Sequence, residues 1–343
     1  MTEYGQITDY ETFELGDVRL QSGATLRGAK LAYKTHGTLN ERKDNAILYP
    51  TSYSATHKNE EFRIGEEKAL DPGKYFIIQV NMLANGLSSS PSNTPMPFNQ
   101  ARFPNVTVLD NVLCQHRLVT EKFGIERLAL VVGFSMGAQQ TFQWGAAFPD
   151  MVQRIAPICG TASTTPHNFV FIDGFTSALR ADAAWNNGFY DKQPVIGIRA
   201  MGRVYAGWGL SQAFYYRRLY LEHGFSSLED YIVTNWEGNF LKKDANNLLA
   251  MAWTWQHADI GMTPGCGGSR EKALGSIKAK AMIMPGQTDL YFPPVDVEYE
   301  AQFIPGAEVR VIPSVYGHAA GGSLSPEDMA FVEKGLKDLL EME

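Results

Sequence analysis

A serine, an aspartate and a histidine occur in this sequence in an order and in settings that suit acyl transfer. Ser135 lies within "LVVGFSMGAQ", and Asp289 and His318 lie in loops that follow later apolar runs. A serine hydroxyl is a poor nucleophile at neutral pH, so it needs a base to take its proton and an acid to orient that base. We therefore predict that Ser135 is a nucleophile, that His318 is its base and that Asp289 orients His318.

The stretch around Ser135 has the pattern of a nucleophile elbow. Its G-x-S-x-G motif comes directly after an apolar run that is typical of a strand and directly before a helical pattern. Gly133 and Gly137 allow close backbone approach in the sharp turn, which lifts the serine hydroxyl to the edge of the sheet. The motif alone is weak, but this strand-turn-helix context makes it specific. Proteins with such an elbow carry the acid and then the base later in the chain, as Asp289 and His318 do here.

Other residues compete weakly for the roles of base and acid. The remaining histidines precede the serine, follow it closely or lie in helical patterns, and they are His36, His57, His116, His167, His223 and His257. Asp296 is the nearest competitor of Asp289, but it lies farther from the end of the preceding apolar run. His318 and Asp289 are therefore the preferred pair.

The tetrahedral intermediate of acyl transfer also needs hydrogen-bond donors for its oxyanion. The backbone N–H of Met136, directly after the nucleophile, is one candidate. The second donor is expected in the loop after an early strand, within "YPTSYSATH", where we favour Ser52. Thr51 and Tyr53 are the alternatives in that loop.

Several short apolar runs rich in Val and Ile predict buried strands. They are residues 45–50, 75–80, 128–134, 154–160, 280–286 and 309–314. Their continuous apolarity predicts that both faces of the sheet are covered. Helical patterns at 110–124 and 138–148 alternate with these runs, as a mostly parallel α/β sheet requires. The last helix has a clear start, with Ser325 as N-cap, Pro326 in the first turn and Asp328 completing a capping-box-like pattern.

The segment 167–278 interrupts this alternation. It contains no convincing strand, but it has aromatic-rich helical stretches at 210–224 and 246–258. A helical insertion between two strands would form a cap over the strand ends, where open α/β sheets bind ligands. We therefore predict a core domain of residues 1–166 and 279–343 with a helical lid of residues 167–278. More than half of the lid's aromatic residues are expected to pack within the lid itself.

Composition limits the classes of partner. The chain has 343 residues and a formal net charge of −7 without a block of like charges. It therefore lacks a basic surface for nucleic acid or anionic lipid, and a small molecule is the expected partner. Cys114, Cys159 and Cys266 are too few and too widely spaced for a disulfide framework or a metal site. The sequence has no signal pattern and no long apolar run, so we expect a cytoplasmic, non-membrane protein.

Longer stretches of the sequence resemble the homoserine O-acetyltransferase family of α/β-hydrolase-fold proteins. They are "SSSPSN" (88–93), "FPNVTVLDNVLCQHRLVTEKFGIERLALVVGFSMGAQQTFQW" (103–144) and "NFLKKDANNLLAMAWTWQHADIG" (239–261), together with "DLYFPP" and "GH". The resemblance runs over nearly the whole chain. It implies an α/β-hydrolase fold with a helical lid, a triad of Ser135, Asp289 and His318, and a homodimer formed through lid helices.

The departures from that family concern the substrate. The transferases usually have GGSMGG around the nucleophile, whereas this chain has Phe134 and Ala138 in place of two of those glycines. The transferases carry an aspartate directly after the catalytic histidine for the amino group of homoserine, and this chain has Ala319 there. Their lid places an arginine for the substrate carboxylate and a tyrosine seven residues later, and these align here with Arg203 and Leu210.

The missing aspartate argues against homoserine as acceptor, because a buried ammonium group without a counter-charge is costly. Water would then attack the acyl-enzyme with the help of the same base. The sequence is most similar to homoserine-transacetylase-like esterases, a branch that cleaves short acyl esters such as alkyl acetates. We therefore predict a serine carboxylesterase with Arg203, Phe134, Leu210 and Ala319 around the substrate, and we expect no cofactor and no metal ion.

Two other functions stay open on the sequence alone. Homoserine O-acetyltransferase activity with acetyl-CoA would use the same triad, and Arg203 together with the family match supports it. A non-catalytic binding protein of this fold would keep the pocket and a vestigial triad. A dinucleotide-binding fold is disfavoured, because no G-x-G-x-x-G follows the first apolar runs.

Overall fold

The computed structural model describes residues 3–342, and within that range eight strands form one sheet. The strands are β1 (Glu11–Arg19), β2 (Thr25–His36), β3 (Ala46–Pro50), β4 (Phe76–Val80), β5 (Leu130–Phe134), β6 (Arg154–Ile158), β7 (Lys280–Ile283) and β8 (Glu308–Val309). Their order across the sheet is β1-β2-β4-β3-β5-β6-β7-β8. The β1–β2 and β2–β4 pairs are antiparallel, and the remaining neighbours are parallel. The carboxyl ends of the parallel strands therefore meet at one edge of the sheet, where such sheets bind ligands.

Helices flank the sheet and connect its parallel strands. They are α1 (His57–Glu60), α2 (Val108–Arg117), α3 (Met136–Ala147), α4 (Pro166–Arg180), α5 (Val195–Gly209), α6 (Gln212–Tyr216), α7 (Leu228–Asp230), α8 (Gly238–Leu241), α9 (Ala245–Gln256), α10 (Arg270–Gly275), α11 (Pro294–Ala301) and α12 (Pro326–Glu341). Helix α3 contacts β3, β5 and β6, and α12 contacts β6 and β7. These contacts hold the helix after the nucleophile against the centre of the sheet.

Alternate residues of the central strands pack into two different hydrophobic layers. Leu48 of β3 and Val131 of β5 belong to the larger core, whereas Ile47 and Val132 belong to a second core that includes side chains of α12. Side chains alternate between the two faces along a strand, so a sheet covered on both faces needs continuous apolar runs. This burial explains why the continuous apolar runs mark strands in the sequence.

The predicted fold class, a mostly parallel sheet flanked by helices, is confirmed. Strands β3 to β7 all begin within predicted apolar runs, but β8 is shorter than the predicted run at 309–314. Backbone N–H groups of Arg310 and Ile312 still donate to Ile283 and Pro285. Because Pro285 has no N–H of its own, the pairing beyond β7 and β8 cannot form a regular ladder.

The sequence patterns used here do not predict strands β1 and β2. Most side chains of β1 are exposed or half-buried, and Leu15 is its buried residue. An antiparallel strand at the edge of a sheet keeps one face in solvent and needs apolar residues at only some positions. A search for continuous apolar runs therefore overlooks such a strand.

The segment between β6 and β7 is built from helices α4 to α10 and short turns. The helical stretch predicted at 246–258 corresponds to α9, whereas 210–224 contains only the short α6 and a 3-10 turn at Leu219–Leu221. Arg218, between these two, has a left-handed backbone with φ 56°, which a continuous helix cannot accommodate. Among residues 3–342, no helix has the length and apolarity needed to cross a membrane.

The start of α12 agrees with its predicted cap. The Ser325 hydroxyl accepts a hydrogen bond from the Asp328 N–H at 3.1 Å, and Pro326 is the first helical residue. This capping satisfies one of the amide groups that a helix leaves unpaired at its N-terminus.

Candidate active site

Ser135 sits in a strained turn between β5 and α3. Its backbone angles are φ 58° and ψ −119°, a conformation that residues other than glycine rarely adopt and that clusters at active sites. A Cβ atom on Gly133 would lie 2.2 Å from the Gly137 carbonyl oxygen, and one on Gly160 would lie 2.8 Å from the Ser135 carbonyl oxygen. The strand, the turn and the next loop therefore approach so closely that only glycine fits at these two positions.

The structure brings the predicted Ser135, Asp289 and His318 together at the carboxyl edge of the sheet. Nε2 of His318 lies 2.9 Å from Oγ of Ser135, and Nδ1 of His318 lies 2.8 Å from Oδ2 of Asp289. All three side chains are buried, with 2% exposure for Ser135 and 8% for His318. When the Nδ1–H donates to the carboxylate, the lone pair on Nε2 faces the serine hydroxyl. This geometry allows a proton to pass from the serine hydroxyl to the imidazole.

Asp289 is held by the backbone that follows it. Its Oδ1 accepts hydrogen bonds from the N–H groups of Tyr291 at 2.8 Å and Phe292 at 3.2 Å, while Oδ2 is left for His318. Both donors belong to the loop after β7, so local hydrogen bonds hold the carboxylate independently of His318. Asp296, the competing aspartate, lies in the first turn of α11.

Three aromatic rings surround the His318 imidazole. The Phe134 ring stacks on it with 4.8 Å between ring centroids, and the rings of Tyr291 and Phe292 lie at 4.6 Å and 5.6 Å. Neither Tyr291 nor Phe292 is predicted as a site residue from the sequence. Their position two and three residues after Asp289, at the end of a strand, is the signal that could have identified them.

Two backbone amides are available near the nucleophile. Met136 is the first residue of α3, so its N–H has no acceptor within the helix. The loop after β3 contacts the same helix, because Gln140 Nε2 donates to the Thr51 carbonyl oxygen at 3.0 Å. The Thr51 N–H donates to the Val80 carbonyl oxygen, whereas no protein acceptor within residues 3–342 receives the Ser52 N–H. Of these two loop residues, Ser52 is thus the one with a free donor.

Leu210 and Ala319 pack against the same small apolar cluster. The cluster is formed by Leu210, Phe214, Tyr220 and Tyr231, and Ala319 packs against its edge. The His318 loop touches the backbone of Leu210 directly, since a Cβ on Gly317 would lie 2.9 Å from the Leu210 Cα. A carboxylate at position 319 would therefore face apolar side chains and lose hydration without compensation.

Phe134, which is predicted to lie around the substrate, contacts the His318 imidazole. Besides stacking on His318, its ring packs against Gly321, where an added Cβ would lie 2.6 Å from the ring. The Phe134 ring thus fills space beside the imidazole.

Arg203, which is predicted to bind substrate, pairs with two protein carboxylates. Its guanidinium donates to Glu237 at 2.5 Å and to Glu229 at 2.6 Å, and its side chain is 46% exposed. These carboxylates, Glu229 first, raise the pKa of the guanidinium. The structure groups Arg203 with these acids, and its contact with a substrate stays a prediction.

Burial and charge near the triad keep neighbouring groups protonated. Burial and then the Asp289 carboxylate raise the pKa of the Cys159 thiol. Burial, Tyr205 and then Asp289 raise the pKa of the Tyr291 hydroxyl. A thiol is nucleophilic only as a thiolate, so Cys159 does not compete with Ser135.

One group of side chains in residues 3–342 has the spacing of metal ligands. Asp9, His57 and Glu61 bring one ligand atom each to within 4.8 Å of one another. The ammonium group of Lys34 lies 2.6 Å from Asp9 and 2.5 Å from Glu61, and Lys58 pairs with Asp9 as well. These lysines supply the positive charge that the carboxylates need, so the group is a surface ion-pair network.

A cavity of about 360 Å³ lies beside the loop after β3. Its lining consists of Ser54, Ala55, Asn59, Tyr205, Asn235, Trp236, Asn239, Phe240 and Lys243. The Tyr205 ring stacks on Tyr53 at 5.9 Å and meets the edge of Tyr291 at 5.4 Å. Tyr205 therefore stands between this cavity and the aromatic rings around His318.

Comparisons with known proteins agree with this geometry. A family model described as alpha/beta hydrolase fold matches residues 52–320. The chain is 43% identical over 341 residues to a probable esterase of Corynebacterium glutamicum, with 97% of this chain and 96% of the relative covered. It is 42% identical over 312 residues to an ethyl acetate hydrolase of Pseudomonas veronii, with 90% and 89% covered.

A solved structure and a more distant relative complete the comparison. The structure of an acetylester hydrolase from Corynebacterium glutamicum superimposes with a TM-score of 0.94 and 42% identity, covering 97% of this chain and 96% of the other. A homoserine O-acetyltransferase of Trichormus variabilis is 29% identical over 315 residues, with 88% and 86% covered. The chain is thus more similar to these ester hydrolases than to this transferase.

Proposed function

Because the chain belongs to the α/β-hydrolase fold family, we propose that it is a serine carboxylesterase that hydrolyses short-chain, acetate-type esters. The hydrogen-bonded series from Ser135 through His318 to Asp289, at 2.9 and 2.8 Å, is the observation that carries this proposal. The names of the relatives, a probable esterase and an ethyl acetate hydrolase, support the substrate class. No cofactor takes part in the proposed reaction.

Acylation follows from the order of the hydrogen bonds. Ser135 Oγ attacks the carbonyl carbon of the ester while His318 Nε2 accepts its proton. The Asp289 carboxylate holds the imidazole and stabilises the imidazolium. The N–H groups of Met136 and Ser52 donate to the oxyanion of the tetrahedral intermediate. The C–O bond to the alcohol then breaks, and His318 returns the proton to the leaving alkoxide.

Deacylation repeats these steps with a water molecule as the nucleophile in place of the Ser135 hydroxyl. His318 takes a proton from a water molecule as its oxygen attacks the acyl carbon, and the second intermediate releases the carboxylic acid and the Ser135 hydroxyl. Ala319 and Leu210 favour this outcome over transfer to an amino acid, because they offer no charge to a substrate ammonium group. The ion pairs of Arg203 with Glu229 and Glu237 weaken transfer further.

We extend the proposal to the setting of the enzyme. The helical segment 167–278 acts as a lid over residues 1–166 and 279–343, and two chains associate through lid helices to form a homodimer. Exposed apolar side chains on this segment support the homodimer, and they include Phe169, Val170, Val195, Ile196 and Tyr216. The partner in solution is a small ester, and the location is the cytoplasm.

The nucleophile is tested by replacing its hydroxyl. Ser135→Ala should lower kcat/KM for p-nitrophenyl acetate and ethyl acetate by at least about a thousandfold, because the remaining groups cannot form an acyl-enzyme. Hydrolysis is followed by absorbance for the first ester and by titration of released acid for the second. Equal rates for the variant and the native chain would contradict the assignment of Ser135.

A second measurement separates hydrolysis from transfer. CoA release from acetyl-CoA is followed with and without homoserine, using the same enzyme preparation. We expect ester hydrolysis to be far faster than homoserine-dependent CoA release. A strong dependence on homoserine, with slow ester hydrolysis, would assign the chain to the transferases instead.

A further inference from the structure

A buried carboxylate holds the loop that carries Ser52. Glu60, at the end of α1, is 3% exposed. Its Oε1 accepts a hydrogen bond from Ser52 Oγ at 2.7 Å, and its Oε2 accepts one from Tyr49 Oη at 2.8 Å. Tyr49 is part of β3 and Ser52 follows the end of that strand. The Glu60 carboxylate therefore ties together the strand, the loop and α1.

Other contacts hold the backbone at Ser52 and on either side of it. The Ala55 N–H donates to the Ser52 carbonyl oxygen at 3.2 Å, and Gln140 Nε2 donates to the Thr51 carbonyl oxygen at 3.0 Å. The Met82 N–H donates to Thr51 Oγ1 at 3.1 Å, and Asn85 Nδ2 donates to the Ala55 carbonyl oxygen at 3.0 Å. The Ser52 side chain has its hydrogen bond with Glu60. The Glu60 contact to the side chain thus acts together with these backbone contacts to fix the orientation of the Ser52 N–H.

The placement of this carboxylate is not explained by stability alone. Burying a carboxylate is costly unless its oxygens are paired, and apolar residues of similar volume are often as stable. The two hydroxyl groups are its hydrogen-bond partners, and the buried Arg63 guanidinium, which lowers the pKa of Tyr49, adds positive charge beside this pair. Burial, and then the Glu60 charge, raise the pKa of Tyr49, which keeps that hydroxyl a donor.

We propose that Glu60 is a positioning residue for the oxyanion hole, which it serves by fixing Ser52 so that its N–H points to the developing oxyanion. This inference rests on the proposed function. An oxyanion donor is effective only about 2.7–3.1 Å from the position that the oxyanion occupies, so a small rotation of the Ser52 peptide weakens transition-state stabilisation. Binding of the ground-state ester depends less on this distance. Loss of the Glu60 contacts therefore lowers kcat and leaves KM nearly unchanged.

The test compares Glu60→Gln with the matched control Glu61→Gln. Glu61 is the next residue, and its partners are the surface residues Lys34 and Lys58. Glutamine at position 60 keeps one acceptor oxygen and replaces the other with an amide donor, so one hydroxyl loses its acceptor. We expect kcat for p-nitrophenyl acetate to fall by about ten- to a hundredfold for Glu60→Gln, with KM within about twofold, since complete loss of one oxyanion donor costs about a hundred- to a thousandfold. Glu61→Gln should retain native kcat within about twofold.

A tetrahedral-adduct inhibitor gives a readout that a merely structural role would not change. A trifluoromethyl ketone adds to the serine and carries an oxyanion, so its affinity should fall by the same factor as kcat in Glu60→Gln. In the Ser52→Ala background the hydroxyl is already lost, and adding Glu60→Gln should lower kcat by less than about twofold more. Independent, multiplying effects of the two changes would overturn the proposal.

Ser52→Ala keeps the test decisive if Glu60→Gln does not fold. This variant keeps the backbone N–H and removes the hydroxyl that Glu60 holds, so we expect a fall of about tenfold or more in kcat with a matching loss of inhibitor affinity. Unchanged values for folded Ser52→Ala, or for folded Glu60→Gln, would overturn the role of Glu60. If Ser135→Ala also failed to abolish hydrolysis, the proposed function itself would fall. If Ser135→Ala abolishes hydrolysis but Glu60→Gln keeps native rates, the proposed function stands and only the role of Glu60 is wrong.

Discussion

At the scale of single residues, the site depends on where hydrogen bonds place two atoms. Nε2 of His318 reaches Ser135 because Nδ1 is fixed by Asp289, and Asp289 is fixed by the amides of Tyr291 and Phe292. The imidazole is also confined by aromatic rings on its faces. Orientation of the base thus comes from packing as well as from hydrogen bonding.

Removing the Phe134 ring should disturb this orientation. Stacked aromatic pairs contribute about 0.5–1.5 kcal/mol beyond their buried area, which corresponds to a factor of about two to ten in rate if the loss is expressed in the transition state. We expect Phe134→Ala to lower kcat for p-nitrophenyl acetate by about that factor, measured together with thermal unfolding.

Phe331→Ala is the control for the Phe134 prediction. Phe331 packs, like Phe134, against the hydrophobic core that includes α12. It should lower the melting temperature to a similar degree while leaving kcat unchanged. If both variants lose stability and neither loses kcat, the Phe134 ring supports only the fold.

At the scale of elements, a buried carboxylate connects α11 to the loop after β6. Glu300 on α11 is 1% exposed and accepts hydrogen bonds from the N–H groups of Ala162 at 2.6 Å and Ser163 at 3.1 Å. The Arg270 guanidinium, on α10, lies 3.6 Å away. The same loop begins at Cys159 and Gly160, and Gly160 touches the Ser135 carbonyl oxygen. The carboxylate therefore anchors a loop that packs against the nucleophile.

The pKa of Glu300 makes this anchor sensitive to pH. Burial is the largest cause and raises its pKa from 4.5 to about 7, against the lowering effects of the Ala162 N–H and Arg270. The folded state then binds a proton more tightly than the unfolded state. The stability that Glu300 contributes is fully present below about pH 4.5, and it is lost as the pH rises through about 7. A pKa difference of one unit corresponds to about 1.4 kcal/mol, so the free energy of unfolding decreases by roughly 3 kcal/mol as Glu300 ionises.

Glu300→Gln should remove this dependence, because the amide does not titrate. We expect the difference in free energy of unfolding between the native chain and this variant to become smaller by roughly 3 kcal/mol between pH 4.5 and pH 8, with urea denaturation as the measurement. Other titrating groups cancel in the difference. A constant difference across this range would show that Glu300 does not titrate there.

At the scale of the whole molecule, the helices between β6 and β7 carry apolar side chains on their outer surface. Val170 on α4 is 63% exposed and Ile196 on α5 is 75% exposed. Single exposed apolar residues are common on protein surfaces, but several on one inserted segment suit an interface between copies of the chain. This surface supports the proposed homodimer.

The homodimer is tested by placing charges on that surface. The native chain should elute with about twice its chain mass of 38.0 kDa when measured by light scattering after size exclusion. Val170→Glu combined with Ile196→Glu should shift the mass toward that of one chain, because two like charges would face an apolar interface. Val295→Glu is the control, since Val295 is 66% exposed on α11, outside the segment. A native chain that stays monomeric at micromolar concentration would remove the proposal.

Much of the site could be predicted from the sequence because its signals are local. The elbow at Ser135 requires glycines at set positions and a strand and helix on either side, and all of these are visible in about ten residues. Asp289 follows the largely buried strand β7 and His318 follows the half-buried strand β8, and the apolar runs that mark both are equally local. The parallel strands were predictable for the same reason, whereas β1 and β2 were not, because half-exposed antiparallel strands lack such runs.

The sequence by itself determined the order of the chemical groups, the mostly parallel sheet and the absence of a charged residue after His318. Only the tertiary structure decided what surrounds those groups. It stacks Phe134 on the imidazole, turns Arg203 toward Glu229 and Glu237, and buries Glu60 beneath Ser52. The physical reason is that strand and turn patterns arise from neighbours along the chain. Ion pairs, ring contacts and buried hydrogen bonds mostly join residues that folding alone brings together.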